Sequence, residues 1–413
     1  MPVNIIPIFS PIAEEAVVTE LWKSLKETGA NVFEPSQFIT LCRMEPIHLM
    51  QRNFVFVGTG GTENLIADFL KEVGVHPPII LLSYDERNSL PAAMETRAYI
   101  ASKGLKARII HASLSDLLKR IGDWVEYSVV EAQIQGSTMG ILGKPSSWLI
   151  ASGIERNAVE MRWGLRFKDY SMEDFADNLE GELEPEFSTR LERFIRESEC
   201  LHIPEDDITK AGLVTQNLAR FVRDRNLAAI SVECFTLLQR TSISGCHALS
   251  FLNDQEGLVA GCEGDIPSTF TLLLAKLLTH SPAFMANVAH IDPEQNSAVF
   301  VHCTIPTGLV ESYEVMTHFE TGMSVSIRGK IKPQRVTVMK IFGEDLSKFW
   351  VSGGTLIENL ESESSCRTQI RVELDASVDY FLNNSLANHH IVCIGDHSAL
   401  FKGFFSFILE NRQ

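Results

Sequence analysis

The sequence predicts an α/β protein in which two doubly wound parallel-sheet domains precede a mainly antiparallel, barrel-like β domain. Three observations carry this expectation. Apolar strand-like runs alternate with amphipathic stretches through the first third of the chain and again through the second, the pattern of a parallel sheet with helical crossovers. From about Asn296 the alternation gives way to short β-branched runs with turn residues between them. Finally, 413 residues exceed what one ordinary core holds. The expected domains are residues 1–145, 146–295 and 296–413.

In the first domain VNIIPIF leads into an amphipathic stretch over Glu14–Lys26. FVFVG, a helix over Glu63–Glu72, IILLS, a helix over Ala92–Lys103 and ARIIHA follow. The opening MPVNIIPIFSPIAEE lacks a basic region and is broken by Pro7, so it reads as a strand and not as a signal peptide. The second domain starts near SSWLIAS (146–152) and continues through LRFKDY and a long helical region ending near Arg225. AAISVE, GLVAGCE and AFMANV then read as buried strands between helices. The third contains AVFVHCTI, MSVSIRGKI, RVTVMKIFG, TQIRVEL and HIVCIG, closed by a helix over Ser398–Leu409.

Composition narrows the function classes. With 45% apolar and 22% charged residues the chain is ordinary globular protein. A net charge of −17 argues against nucleic acid or an anionic membrane as the main partner. No run approaches the roughly 18 apolar residues a membrane span needs. The eight cysteines show no CxxC spacing and several lie in apolar runs, so they read as reduced, buried thiols of a cytoplasmic protein.

The chemistry concentrates where apolar runs end. In GLVAGCEGDIPSTF (257–270) a strand over Gly257–Cys262 meets a helix over Ser268–Leu278, with Asp265 as N-cap and Pro267 in the first turn. Glu263 therefore stands at a strand tip, in the crevice where open α/β sheets bind ligands. Glu233 ends AAISVE, His302 ends AVFVH, and His389 and His390 open HIVCIG. A carboxylate and imidazoles converging from different strands can hold a divalent cation with an open position, although each alone reads equally as a satisfied strand end. GTGGTEN (58–64) is either an anion cradle or a tight turn, and is not a GxGxxG motif because its third position falls on Glu63. In NSLPAAME, Asn88 and Ser89 either face a cleft or cap the next helix.

CEGDIPSTFTLLLAKLL resembles the signature of the L-fucose isomerase and L-arabinose isomerase superfamily, where a strand ends in C-E-x-D or G-E-G-D and runs into a helix. The likeness extends through PAFMANVAHID, VHCTIP and NHHIVCIGD, while GTGGTEN, NSLPAAME and SSWLIAS resemble the shorter fucose-isomerase-like proteins. Together these stretches are spread over most of the chain, from residue 58 to residue 396. The resemblance implies aldose–ketose isomerisation through a cis-enediol stabilised by a divalent cation, usually Mn²⁺, on a small-molecule sugar. It implies Glu263 as metal ligand and general base, His302 and His389 as further ligands (His390 if the register slips by one), and a homo-oligomer, trimeric or hexameric.

Asn287 departs from the pattern, because the family has a carboxylate there. An amide is an uncharged ligand and no base, so weaker metal binding is expected, with Glu233 or Asp265 as the nearest substitutes for the second acid. Asp265 alternatively orients a ligand from behind. The missing negative charge leaves the site more positive, which would suit an anionic sugar. A non-catalytic or differently catalytic carbohydrate-binding protein on the same scaffold is the alternative reading.

Overall fold

The computed structural model describes residues 2–46, 52–74, 79–179, 181–255 and 258–410. The chain forms two compact units, Met1–Gln133 with Gly403–Gln413, and Ile134–Lys402.

In the first unit β1 (Val3–Ile8), β2 (Asn31–Val32), β3 (Arg52–Val57), β4 (Ile79–Tyr84) and β5 (Ala107–Ala112) form a parallel sheet of order β2-β1-β3-β4-β5. The chain direction across the sheet reverses between β1 and β3, which makes it doubly wound. Every residue of VNIIPI and IILLSY is buried, as expected of strands covered on both faces. GTGGTEN is a tight turn after β3. Thr59 Oγ1 accepts the Ser10 N–H at 2.9 Å, the Gly60 N–H goes to Arg87 O at 2.8 Å, and a Cβ on Gly58 would lie 2.3 Å from the Phe9 ring. Ser89 is buried and donates to Val57 O, and Asn88 takes the N-cap position of the helix Ser89–Ser102 without a side-chain cap bond. Those groups are spent on the fold.

The second unit adds β6 (Thr138–Leu142), β7 (Arg166–Tyr170), β8 (Cys200–Leu201), β9 (Ala229–Val232) and β10 (Ala260–Gly261). Four of these form a parallel sheet of order β10-β9-β6-β7. SSWLIAS is not its first strand. The run folds into successive turns, Leu149 N–H to Ser146 O and Ser152 N–H to Leu149 O, and leaves Trp148 55% and Ile150 92% exposed. Its serines fit turns, and the strand role falls to TMGIL in β6. Of the strand expected over Gly257–Cys262, Gly257 lies outside the described residues, and pairing is confined to Ala260–Gly261.

The remaining strands are β11 (Ala283–Asp292), β12 (Ser297–His302), β13 (Ser312–Met316), β14 (Ser326–Lys330), β15 (Gln334–Phe342), β16 (Lys348–Asn359), β17 (Thr368–Leu374) and β18 (His390–Ile394). A closed antiparallel barrel runs β11-β12-β17-β16-β15-β18, and β14-β13-β8 form a separate sheet. AFMANV thus belongs to the barrel as β11, and MSVSIRGKI supplies β14 outside it. β16 was hidden by its glycines, which are depleted in strands but needed here. A Cβ on Gly353 would sit 2.4 Å from Asp375 Oδ2, and one on Gly354 2.7 Å from Glu373 O. The helix Ile266–Thr279 packs on β9 and β10 of the sheet and on β11, β15 and β18 of the barrel. That position explains a helix apolar on nearly every side. Among the described residues no helix is long and apolar enough to cross a membrane.

Candidate active site

The turn Glu263–Gly264–Asp265 sends its two carboxylates to different places. Glu263 and Gly264 both have positive φ, 60° and 68°. A Cβ at position 264 would lie 2.5 Å from Lys144 O and 2.6 Å from Pro145 Cα, so only glycine fits. The Gly264 N–H donates to Val232 O, and the Ser146 N–H donates to Glu263 O, both at 2.9 Å. The turn is thereby pinned to β9 and to the loop carrying Trp148.

Asp265 points into the helix Ile266–Thr279. Its Oδ1 accepts the Ser268 N–H at 2.9 Å, and its Oδ2 accepts Ser268 Oγ–H at 2.8 Å and faces His389 Nδ1 at 2.9 Å. The cap and the orienting role coexist, one on each oxygen. Lys340, fully buried on β15, donates to Ser268 Oγ at 2.6 Å and stands 3.8 Å from Asp265 Oδ2. Burial alone would raise the Asp265 carboxyl, but Lys340 and His389 hold it far below the usual carboxylate range.

With Nδ1 held, His389 turns Nε2 toward Glu263 Oε1, 3.4 Å away. His302, the last residue of β12, completes the group, and the ligating atoms of Glu263, His302 and His389 lie within 4.8 Å of one another. His302 Nδ1 and His389 Nε2 are buried without a hydrogen-bond partner. Glu263 Oε2 accepts the Trp148 indole N–H at 2.7 Å. Burial would raise the Glu263 carboxyl, but His389, His302 and Trp148 together bring it below its ordinary value. Burial, reinforced by His389, pushes His302 down to about 3. His389 resists its own burial because Asp265 and Glu263 flank it, and rises to about 9.

Asn287, on β11, lines the same cleft as Glu263 and His302, and its Oδ1 accepts a hydrogen bond from Asn388 Nδ2. His390 points elsewhere, bonded to Asn388 O at 2.8 Å and Tyr380 OH at 3.0 Å, so His389 is the member of the pair that meets Glu263. Glu233 does not line the cleft. Its Oε2 accepts the Lys144 N–H at 2.9 Å beneath Gly143. Four site residues escaped the sequence reading. Trp148 lies in the turns of SSWLIAS, and Lys340 is buried on β15. His318 and Glu320, on a turn-rich stretch without periodicity, complete the cleft wall. Burial, and then Glu263, raise the Glu320 carboxyl.

The buried imidazoles give stability a signed pH dependence. Burial holds His247 at about 4, and His302 and His390 at about 3, against an ordinary 6.5. Below pH 6.5 the unfolded chain binds more protons than the folded one at these sites. Their contribution is therefore complete above 6.5 and lost as pH falls toward 4 and 3. His389 runs the other way, its contribution complete below 6.5 and lost as pH rises through about 9. The melting temperature of metal-free protein is expected to peak near neutrality and fall on both flanks. A flat calorimetric profile between pH 4 and 6.5 would contradict the burial of these rings.

The fold and this cleft define a two-unit α/β protein with a carboxylate–bis-imidazole centre at the junction of a parallel sheet and a barrel. No model of a known protein family matches the chain. It is 23% identical over 193 residues to a sulfoquinovose isomerase of Alkalicoccus urumqiensis, across 45% of this chain and 42% of that protein. It is 25% identical over 122 residues to sulfoquinovose isomerases of Priestia aryabhattai and Priestia megaterium, across 29% of this chain and 27% of theirs. The match spans less than half the length of each of these relatives.

Proposed function

We propose that this chain is a sugar isomerase that interconverts an aldose and a ketose, with Glu263 as general base. The supporting observation is the convergence of Glu263 with two buried imidazoles, one ligating atom of each lying within 4.8 Å of the others. The isomerase names of the curated relatives point the same way. One carboxylate and two imidazole nitrogens fit a divalent cation with positions left for substrate oxygens, Mn²⁺ being the expected ion. Glu263, His302 and His389 would hold it, with the Asn287 amide beside them. Such an ion would supply Lewis acidity toward a carbonyl oxygen.

The chain's own residues then divide the work. Glu263 carries a proton between C1 and C2 of the sugar, and Trp148 fixes the unused face of that carboxylate. Asp265 holds the Nδ1 proton of His389, which commits Nε2 to the cleft. Lys340 keeps Asp265 charged. Glu320 is a further carboxylate lining the cleft and replaces Glu233 as the nearest second acid. A single carboxylate leaves a divalent centre net positive, which favours an anionic aldose. A sulfonated sugar of the sulfoquinovose kind is the substrate class we assign, in a homo-oligomer.

The second reading, a sugar-binding protein without turnover, draws on Asn287, whose amide replaces a carboxylate and already accepts a bond from Asn388. Purified protein incubated in deuterated buffer with sulfoquinovose or neutral aldoses separates the two. Mn²⁺-dependent incorporation of deuterium at C2 is expected, and sugar binding without exchange would establish the second reading instead. Trp148→Phe keeps a ring against Phe235 but deletes the N–H to Glu263. Such a bond is worth about 1.5–3 kcal/mol when buried and less at this exposure, so kcat is expected to fall by about tenfold. An unchanged kcat would mean that the indole does not position Glu263.

A further inference from the structure

Five of the eight cysteines line the cleft beside Glu263: Cys234, Cys246, Cys262, Cys303 and Cys366. None has a part in the isomerisation described above. Two of them touch, the Cys262 thiol donating to Cys234 Sγ at 3.1 Å. That separation discriminates between the uses of a thiol pair. Two sulfurs on one tetrahedral zinc, each about 2.3 Å from the metal, stand about 3.8 Å apart. A disulfide brings them to about 2.05 Å. The observed contact is too short for a bridging metal, and closing it to a bond requires about 1 Å of movement.

We propose that Cys234 and Cys262 form an oxidative modification site at which a peroxide converts the pair to a disulfide. One sulfur attacks the peroxide O–O bond, releasing a first water and leaving a sulfenic acid. The second sulfur then displaces the sulfenic oxygen as a second water, and the S–S bond forms. Two thiols lose two electrons and two protons, and one hydrogen peroxide becomes two waters. Both cysteines line the cleft, at 7% and 6% exposure.

The placement ties this chemistry to the site. Cys234 opens the helix Cys234–Thr241 directly after Glu233, and Cys262 directly precedes Glu263 in its positive-φ turn. A bond between them links the ends of β9 and β10 and draws the Glu263 turn toward that helix.

The test treats the intact chain with hydrogen peroxide, quenches, and counts thiols after denaturation alongside non-reducing peptide mapping. Loss of two of the eight thiols, a linked peptide pair containing Cys234 and Cys262, and recovery with dithiothreitol are expected. Cys234→Ser should give no linked peptide pair containing Cys262 at the same dose. A link between Cys303 and Cys366, conversion to sulfonic acid without any link, or the same loss in Cys234→Ser would overturn the assignment. If Cys234→Ser does not fold, the peptide map of the unmodified sequence decides alone.

Discussion

Glu263→Gln is expected to abolish the proposed isomerase turnover while leaving the protein folded. The amide keeps the shape of the side chain and its reach to the Trp148 N–H, but it has neither the charge to hold a cation nor the basicity to take a proton. Removing a general base costs about 10²–10⁴ in rate. Loss of the only carboxylate among the three grouped ligands adds to that figure. His389 also loses one of the two anions that raise it to about 9, so its proton should leave at lower pH in the variant, which an NMR titration of metal-free protein reads directly. Turnover within about tenfold of the parent would remove Glu263 from the mechanism, since a base contributes more than that.

Lys340→Met should be the most destabilising single change at the site. The ammonium is fully buried, 3.8 Å from a carboxylate that is 1% exposed. Removing one partner of a buried pair strands the other charge and costs about 3–5 kcal/mol. Ser268 and His389 also bond Asp265, so the lower end of that range is expected. Adding Asp265→Asn to Lys340→Met should recover part of the loss in chemical denaturation, because it removes the stranded charge. A cost under about 1 kcal/mol would show that Ser268 and His389 suffice to hold Asp265 ionised.

The alternation of apolar runs with amphipathic stretches made the sheets legible, and the change of pattern near Asn296 made the barrel so. Glu263, His302 and His389 could be singled out because each breaks an apolar run at a strand end, where a polar residue has a function or a partner. Strand register was harder to read. His389 and His390 are adjacent, and only the packing of His390 against Tyr380 decides which of them meets Glu263. Asp265 read as a cap or as an orienting group because the sequence could not show that its two oxygens divide those tasks.

Other features had no local signature. Lys340 is polar in a run whose two faces are both buried, and sequence period alone assigns such a residue to solvent. Trp148 sits in a run apolar enough to pass for a strand but too serine-rich to pair as one. The thiols of Cys234 and Cys262 meet only because β9 and β10 are neighbours. Charge partners and close contacts across the fold belong to tertiary structure, which periodicity does not encode.

The helix Ile266–Thr279 also constrains how the chain is made. It touches both the parallel sheet and the barrel, yet it leaves the ribosome before any barrel strand exists. At about 5–20 residues per second, the delay between synthesis of Glu263 and of His389 is on the order of ten seconds. At the start of that interval an apolar helix has β9 and β10 to pack on, but not β11, β15 or β18. The nascent chain must therefore carry a sticky segment through the synthesis of the whole barrel, and Asp265 and Lys340 find each other only at the end. The centre that the sequence begins at Glu263 is complete only once His389 has been made.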